Sequence, residues 1–457
     1  MSRFCLPIVL ICFGVFFPFH FDSEPTKESK GFSNKRFPDF GFMPPGKGYE
    51  GRVFKLSQDY PKELPGAKSI PEFLQVDFQK DWRNYLLGVR EYCFRGNILG
   101  GDVEDDWQVA DQHPQHWFHI PWQHFGPNGR EGIHGMTKEA PVQPRQLAWS
   151  QTHSGGQTYA IAFYNEFGAF TIGQVWKDPE HPNARKASFH PGTVICKILF
   201  TDVPPQQVPS LANPLQWQGF IAENFTSTKR RIQSLTLIQM DIMVRDTNAP
   251  LGWVFGTFQY NGKLNKKNRW ENLVPVGLQW GNDPEVADDD ANPQPVKTRR
   301  NPKIRESVIN PDDNELPPTH LGWNGRLNGP VDNPMSSCMS CHATAQAPAM
   351  SPLSPLFQEN PPPPGEDEWM RWFKNYKCGD RFDLDKPTNS TDFCLQLALS
   401  LQNFYTWRNE GTKILASRYK RSARRAKGEE IRPSVYKIRR FDEELEEFKI
   451  QRDFPEK

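Results

Sequence analysis

The sequence lacks an excess of charge of either sign. Its 457 residues include 55 lysines and arginines and 54 aspartates and glutamates, so the formal net charge is +1. A balanced chain creates no overall field that would attract a polyanion or an anionic lipid surface. Charge therefore gives no reason to expect a nucleic acid partner, and other partners have to be inferred from individual sites.

Long apolar runs are scarce, and the one that stands out is N-terminal. Met1-Ser2-Arg3 precedes an apolar run from Phe4 to Phe21, which Pro7 and Pro18 interrupt. One positive charge followed by a run this short is typical of a secretion signal, and the competing interpretation is an uncleaved membrane anchor. We predict a signal peptide or uncleaved anchor over residues 1–21, and a periplasmic or secreted protein.

Cysteine is sparse, and two of the eight cysteines form the most specific motif in the chain. Cys338 and Cys341, followed by His342, give the pattern C-x-x-C-H. Two thiols at this spacing add to the vinyl groups on one edge of a porphyrin, and the adjacent imidazole becomes the proximal iron ligand. We predict one covalently attached haem c, held by Cys338 and Cys341 with His342 on the iron.

Other uses of this cysteine pair stay open. A thioredoxin-like pair follows a strand, whereas residues 329–334, Gly-Pro-Val-Asp-Asn-Pro, have the composition of a loop. A zinc site needs a second ligand pair, and Cys378 and Cys394 are too far apart in sequence to form one. A disulfide between Cys338 and Cys341 would close a small, strained ring.

Disulfides elsewhere are a second open question. The cysteines outside the motif and the N-terminal run are Cys93, Cys196, Cys378 and Cys394. In an oxidising compartment, Cys378 and Cys394 could form a local disulfide, and Cys93 with Cys196 would be the other pair. Free buried thiols are the alternative for Cys93 and Cys196.

Hydrophobic patterns predict an α+β fold, with an antiparallel β-sheet domain that carries the haem, flanking helices and a helical C-terminal extension. Apolar residues recur at helical spacing between residues 72 and 96. Runs rich in β-branched and aromatic residues predict strands. These runs are 158–164, 170–176, 192–200, 235–244, 252–260 and 273–280.

Composition divides the chain into segments. The predicted order is an extended arm (22–60), a haem-binding β-rich cytochrome domain (61–350) with a polar insertion (281–319), a Pro-rich linker (351–366), a helical extension (367–417) and a charged tail (418–457). The tail separates basic from acidic blocks, which is typical of a solvated helix or tail.

Histidine and tryptophan crowd into residues 107–135. We name His119 and His124 as candidate distal haem ligands, because an imidazole near the iron can bind it or donate a proton. Pro114 and Pro121 indicate irregular backbone around them. The alternative is a loop of histidine and aromatic side chains packed over the sheet.

Methionine is scarce after the motif. Small electron-transfer cytochromes carry the motif near the start of a helical domain, with a downstream methionine as sixth ligand. Here some 200 residues of mixed and β-rich sequence precede the motif, and only Met350 and Met370 follow it. Met350 is close to the motif in sequence, and Met370 lies beyond the prolines at 361–364.

Several stretches, taken in order, resemble the cytochrome P-460 family and the related cytochromes c-prime-beta. They are Pro191 to Lys197, Asp241 to Asp246, Gly252 to Phe258, and Cys338 to Ala345, within residues 150–345. The resemblance implies an antiparallel sheet with helices, a haem near the end of the domain and an exchangeable distal side. Some members oxidise hydroxylamine, and others bind nitric oxide.

The same resemblance implies a lysine cross-linked to the porphyrin, for which Lys197 is the candidate. Alternation along a strand would place it on one face with Thr193, Ile195 and Leu199. The alternative is a lysine extending to solvent from a sheet edge. The chain differs from the family by an insertion before the motif, a longer N-terminal region and a C-terminal extension.

These patterns favour a c-type monohaem cytochrome that transfers electrons to or from a redox partner protein. One alternative is a P-460-type haem protein, a haem-dependent oxidoreductase or binding protein whose ligand is a diatomic molecule or small nitrogen compound such as hydroxylamine or nitric oxide. Another is an interaction module that uses the Pro-rich and charged C-terminal region. The electron carrier is preferred because the sequence offers no clear acid and base pair.

Overall fold

The computed structural model describes residues 37, 47–49, 57–95, 117–123, 136–151, 155–222, 230–288, 295–349, 351–384 and 386–409. The chain separates into two compact units, Met1–Tyr405 and Thr406–Lys457. Of the second unit, the structure describes residues 406–409, which are helical. The elements described below otherwise belong to the first unit.

An antiparallel sheet of eight strands forms the centre of the first unit. The strands are β1 (Thr137–Val142), β2 (Gly156–Tyr164), β3 (Val194–Thr201), β4 (Gln216–Ala222), β5 (Arg230–Arg245), β6 (Trp253–Tyr260), β7 (Leu273–Gln279) and β8 (Ser307–Ile309). Their order is β1-β2-β3-β5-β6-β7-β8, and β4 also pairs with β5. A separate two-stranded sheet joins β9 (Gln346–Ala347) to β10 (Asn389–Ser390).

The helices pack around this sheet. They are α1 (Trp82–Phe94), α2 (Glu166–Val175), α3 (Cys338–His342), α4 (Asp367–Met370) and, within this unit, α5 (395–405). Short 3-10 helices lie at Ala67–Ser69, Glu72–Gln75, Ala184–Lys186, Pro205–Gln207, Pro209–Leu211, Gly262–Leu264, Arg269–Asn272, Trp323–Gly325 and Pro355–Phe357. Side chains of Asp81 and Asn165 cap α1 and α2, which satisfies N–H groups at the helix starts.

Both faces of the sheet are covered by apolar side chains. On one face, α1 buries Leu86 and Val89 in a first core cluster. The other face carries a second core cluster, which includes Phe255 of β6, Met339 of α3 and Phe393. Two covered faces explain why β6 and β7 are buried along their whole length. The C-x-x-C-H motif lies on the face of the second cluster.

The predicted α+β architecture and antiparallel sheet are confirmed, with strands at five of the six predicted runs. The strand predicted at 170–176 is wrong, because residues 170–175 belong to helix α2. This helix is buried on nearly all sides, so its β-branched and aromatic residues reflect burial and not strand pairing. β1, β4 and β8 were not predicted. β1 contains lysine, glutamate and proline, which are unusual in strands.

Parts of the predicted appendages pack into the first unit. The polar segment 281–319 contributes β8 and buries Asn282 and Asn310. From the predicted helical extension, Trp369, Phe373 and Leu397 belong to the second core cluster. The residues after 409 lie outside the described residues, as do residues 1–36.

Candidate functional site

The C-x-x-C-H motif folds as a short helix of its own, α3. The Ser337 hydroxyl accepts a hydrogen bond from the Ser340 N–H at 3.0 Å, and the Ser340 hydroxyl accepts one from the Ser337 N–H at 2.7 Å. This reciprocal cap satisfies N–H groups at the start of the helix. Spacing of three residues then places Cys338 and Cys341 on one helix face. Residues 326–336 just before the helix, all of them described, contain no strand.

His342 has the surroundings of a neutral metal ligand. Its Nδ1 atom donates a hydrogen bond to the carbonyl oxygen of Phe393 at 2.7 Å. A carbonyl only accepts, so the ring proton is on Nδ1 and Nε2 carries the lone pair that a metal needs. Burial lowers the pKa of His342 to about 4, although the bond to Phe393 opposes this shift. The residues of the motif therefore fit a proximal haem ligand.

The two motif thiols form no disulfide, and their raised pKa values keep them protonated at neutral pH. Burial raises the pKa of Cys338 well above its ordinary value, and the carboxylates of Asp241 and Asp332 add to the rise. Burial raises the pKa of Cys341 to about 11. A redox-active pair and a thiolate metal site both depend on a lowered thiol pKa, so these surroundings suit them poorly. A thioether is uncharged, so haem attachment is compatible with buried sulfur.

A row of polar side chains crosses the sheet toward the motif. Lys197 of β3 is paired in register with Asp241 of β5, which is paired with Thr257 of β6. The Thr257 hydroxyl donates to Asp241 Oδ1 at 2.9 Å and lies 3.8 Å from Cys338 Sγ. Leu199, expected on the same face as Lys197, packs in the first core cluster, beside an irregularity in the pairing of β3 with β5.

Lys197 lies within electrostatic reach of the motif. Its Nζ atom is 3.2 Å from Glu139 Oε2 of β1, and its side chain is 29% exposed. Burial acts to lower the pKa of Lys197, but Glu139 and two further carboxylates outweigh it and raise the pKa. The charge of Lys197 in turn lowers the pKa of Cys341 and of His342. Because β3 lies between β2 and β5, this lysine is not at a sheet edge.

Two carboxylates meet at one amide beside this row. The Gln239 amide nitrogen donates to Asp241 Oδ2 at 2.7 Å and to Asp332 Oδ2 at 2.9 Å. Its orientation is fixed because Gln239 Oε1 accepts from the Val331 N–H at 3.0 Å. Burial raises the pKa of Asp241 to about 7, and repulsion from Asp332 adds to the shift while Lys197 opposes it. The ordinary pKa of an aspartate is about 4.

Asp241 gives a prediction about pH and stability. Its pKa is higher in the folded chain than in the unfolded chain, so the folded state holds this proton more strongly. Through this group, stability is lost as pH rises from about 4 to about 7. The free energy of unfolding therefore falls between these pH values, and we expect this fall to be smaller by roughly 2 to 4 kcal/mol in Asp241→Asn, which cannot titrate here. Urea unfolding of the two proteins at pH 4.5 and pH 8 measures it, and equal pH dependence in both would contradict the prediction.

The candidate distal ligands have different outcomes. His119 is 2% exposed; its backbone N–H donates to the Ser57 carbonyl, and its own carbonyl accepts from the Tyr60 hydroxyl. These contacts do not place its ring beside the motif, so its role as a ligand stays a prediction. His124 lies outside the described residues, as does Met350. Met370 packs against the second core cluster, which Cys338 also borders.

The other four described cysteines form no disulfide. Cys378 Sγ accepts from Arg245 Nη2 at 2.9 Å, whereas Cys394 Sγ lies 3.4 Å from the Tyr164 hydroxyl. Cys93 of α1 and Cys196 of β3 are both fully buried, and a hydrogen bond joins their side chains. Cys93 and Cys196, one of the two disulfide pairs suggested from the sequence, are therefore in contact, but as thiols and not as a disulfide.

The whole chain was compared with protein families, curated proteins and solved structures. No family model, curated protein or solved structure matches the chain. Among the residues that the structure describes, no three His, Cys, Asp or Glu side chains are placed to share a metal ion. In the same ranges, no helix is both long enough and apolar enough to cross a membrane.

Sequence reasoning missed three contributors to the site. Asp241 is an acidic residue inside an apolar strand, and that contrast was a usable signal. Asp332 lies in a loop of ordinary loop composition. Phe393 acts on His342 through its backbone carbonyl, which no side-chain pattern reveals.

Proposed function

We propose that this chain is a c-type monohaem protein that transfers single electrons to or from a redox partner protein. Cys338 and Cys341 would hold the haem, and His342 would be its proximal ligand. The observation that carries the proposal is the hydrogen bond from His342 Nδ1 to the Phe393 carbonyl. It fixes the ring tautomer with Nε2 as the metal-binding atom, at the position where the motif requires a ligand.

The chain's own residues orient and shield this site. Helix α3 presents both thiols on one face, and the Phe255 ring packs 5.3 Å from the His342 ring between centroids. Phe255 and Phe393, which both contact the imidazole, are buried. When bound, haem supplies a one-electron iron couple. Covalent attachment is completed outside the bacterial cytoplasm, so we propose an exported protein, in agreement with the N-terminal apolar run.

The test is expression together with a c-type haem maturation system, followed by denaturation and extraction with acidic acetone. We expect one haem per chain to stay with the polypeptide, because two thioether bonds survive unfolding. Colour that is extracted completely, or protein that never acquires haem, would reject the proposal.

A second candidate function is that of a P-460-type haem protein, which binds or oxidises a small nitrogen compound. The position of Lys197 favours it, because this lysine lies within electrostatic reach of Cys341 and His342. A cross-link through the amine requires a neutral nitrogen, whereas Glu139 and its neighbouring carboxylates raise the pKa of Lys197. This protonation supports the electron carrier over the cross-linked enzyme.

Replacing Lys197 with arginine separates the two functions. We expect Lys197→Arg to keep the positions of the Soret and visible bands in the oxidised and reduced protein, because arginine retains the charge that Glu139 and Asp241 face. Absorption spectra with and without nitric oxide provide the measurement. Lys186→Arg, at an exposed position, is the matched control. A strongly red-shifted Soret band that only Lys197→Arg restores to an ordinary position would establish the cross-link instead.

A further inference from the structure

The backbone around the His342 acceptor has an unusual conformation. Asp392 has φ 51° and Phe393 has φ 64°, so two successive residues lie in the left-handed region. Asparagine and aspartate tolerate this region, but a bulky residue such as phenylalanine rarely adopts it. Such backbone persists only where the surroundings hold it, and it is concentrated at functional sites. The turn that presents the Phe393 carbonyl is therefore held by its contacts.

The Asp392 carboxylate supplies those contacts. Oδ2 accepts from the Phe189 N–H at 2.8 Å, and Oδ1 accepts from Trp253 Nε1 at 3.0 Å and from the Gly379 N–H at 3.2 Å. Asp392 is 1% exposed. Through these three hydrogen bonds, the Asp392 side chain connects the turn to strand β6, to the loop before β3 and to residue 379.

The same turn is tied to the chain just after the motif. Strand β10 pairs with β9, and the Thr391 N–H donates to the Ala345 carbonyl at 3.0 Å. The Phe393 ring packs on Phe255 with centroids 5.9 Å apart, and Phe255 faces the His342 ring. Phe393 therefore reaches His342 both through its carbonyl and through this aromatic neighbour.

Building on the proposed function, we propose that Asp392 is a positioning residue for the proximal ligand. By fixing the left-handed turn, it holds the Phe393 carbonyl against His342 Nδ1 and so determines how strongly the imidazole donates to the iron. A hydrogen bond on the far nitrogen raises the basicity of a ligating histidine. A more basic ligand stabilises the oxidised iron relative to the reduced iron, so Asp392 keeps the reduction potential low.

The test uses the haem-loaded full chain and compares wild type with Asp392→Asn. The amide keeps the shape of the side chain, but its nitrogen must face one of the three N–H donors, so the turn loosens. We expect the reduction equilibrium to shift about tenfold toward the reduced form, which is about 59 mV for one electron. Redox titration at fixed pH measures the shift.

Asp383→Asn is the matched control. Asp383 is also a fully buried carboxylate of this region, but its side-chain partners do not touch the His342 acceptor. They are Gln346, Ser351, Arg371 and Lys386. We expect Asp383→Asn to lower stability and to leave the reduction potential unchanged. If Asp392→Asn behaves in the same way, Asp392 is structural only and the inference is wrong.

Trp253→Phe keeps the inference testable if Asp392→Asn does not fold. It removes the indole N–H that donates to Asp392, together with part of the ring, and leaves the other two donors to Asp392 in place, so we expect a smaller shift in the same direction. An unchanged potential in this variant would overturn the inference. Wild-type protein without covalent haem would reject the proposed function itself, and this inference with it, whereas haem with an unchanged potential in the variants rejects the inference alone.

Discussion

A chain carrying both Cys338→Ala and Cys341→Ala is expected to lose all covalently attached haem. Each thioether needs one of these sulfurs, and the other described cysteines do not lie on the face of α3. Each single variant retains one sulfur and is expected to keep haem through a single thioether. Intact-mass measurement of the denatured protein and a haem stain of a denaturing gel give the result.

Cys378→Ala is the control for this experiment. Cys378 is a partly buried cysteine outside the motif, and its thiol accepts a hydrogen bond from Arg245. This variant is expected to retain one haem per chain. Haem that stays covalently bound to the double variant would refute attachment at the motif. Loss of haem in the control as well would show that the assay reports folding and not attachment.

His342→Ala gives a complementary result in the same assay. The thiols and the cap of α3 remain, so we expect thioether bonds still to form, whereas a bound haem would lack the proposed proximal imidazole, which the Phe393 carbonyl orients. The contrast between a chain that lacks the sulfurs and a chain that lacks the imidazole separates attachment from ligation.

The strands at the centre of the sheet were predictable because burial on both faces selects β-branched and aromatic residues. Strands β3, β5 and β6 are such runs. The same composition produced the wrong strand prediction at α2. This helix is mostly buried among apolar neighbours, so its sequence lacks the polar face that would indicate a helix. The edge strand β1 carries polar residues because one side is open, so its composition does not separate it from a loop. The other edge strand, β8, has only three residues, which is too short for a pattern.

The site could be predicted only where its chemistry is local in sequence. Attachment of a haem would require Cys338, Cys341 and His342 at this spacing, so five consecutive positions carry the whole signal. The acceptor for His342 lies 51 residues further along the chain and is a backbone atom. Lys197 and Asp241 meet because β3 and β5 pair, although β4 lies between them in sequence. Their partnership depends on strand order, which residue patterns do not reveal.

The cap of α3 depends on a second buried anchor, Arg326. The Ser337 hydroxyl, which begins the helix, donates to Asn282 Oδ1 at 2.7 Å. Arg326 Nε donates to the carbonyl oxygen of the same Asn282 at 2.6 Å, and Arg326 Nη2 donates to the carbonyl oxygens of Asp283 and Val286 at 2.7 and 2.8 Å. The motif helix therefore starts from a loop that one guanidinium holds.

Arg326 is fully enclosed by groups that suit its charge and shape. It is 0% exposed and also donates to the Trp323 carbonyl at 3.0 Å. Its guanidinium lies 4.9 Å from the Trp323 ring centroid and 4.8 Å from that of Phe373. Burial lowers the pKa of Arg326 to about 10, while Asp283 and Glu306 oppose the shift, so the side chain stays charged at neutral pH. A planar group with several donors is required here, because four carbonyls converge on it.

Replacing Arg326 with methionine is expected to lower the free energy of unfolding by about 3 to 5 kcal/mol, because four buried carbonyl groups each lose a hydrogen bond from the guanidinium. Arg326→Lys keeps the charge but not the planar fork, so we expect a smaller loss of about 2 kcal/mol. Urea unfolding measures both variants, with Arg299→Met at an exposed position as the control. Since a domain is stable by only about 5 to 15 kcal/mol, the methionine variant should also acquire haem poorly at elevated temperature. A change below 1 kcal/mol would mean that the 282–286 loop, and with it the start of α3, is held by other contacts.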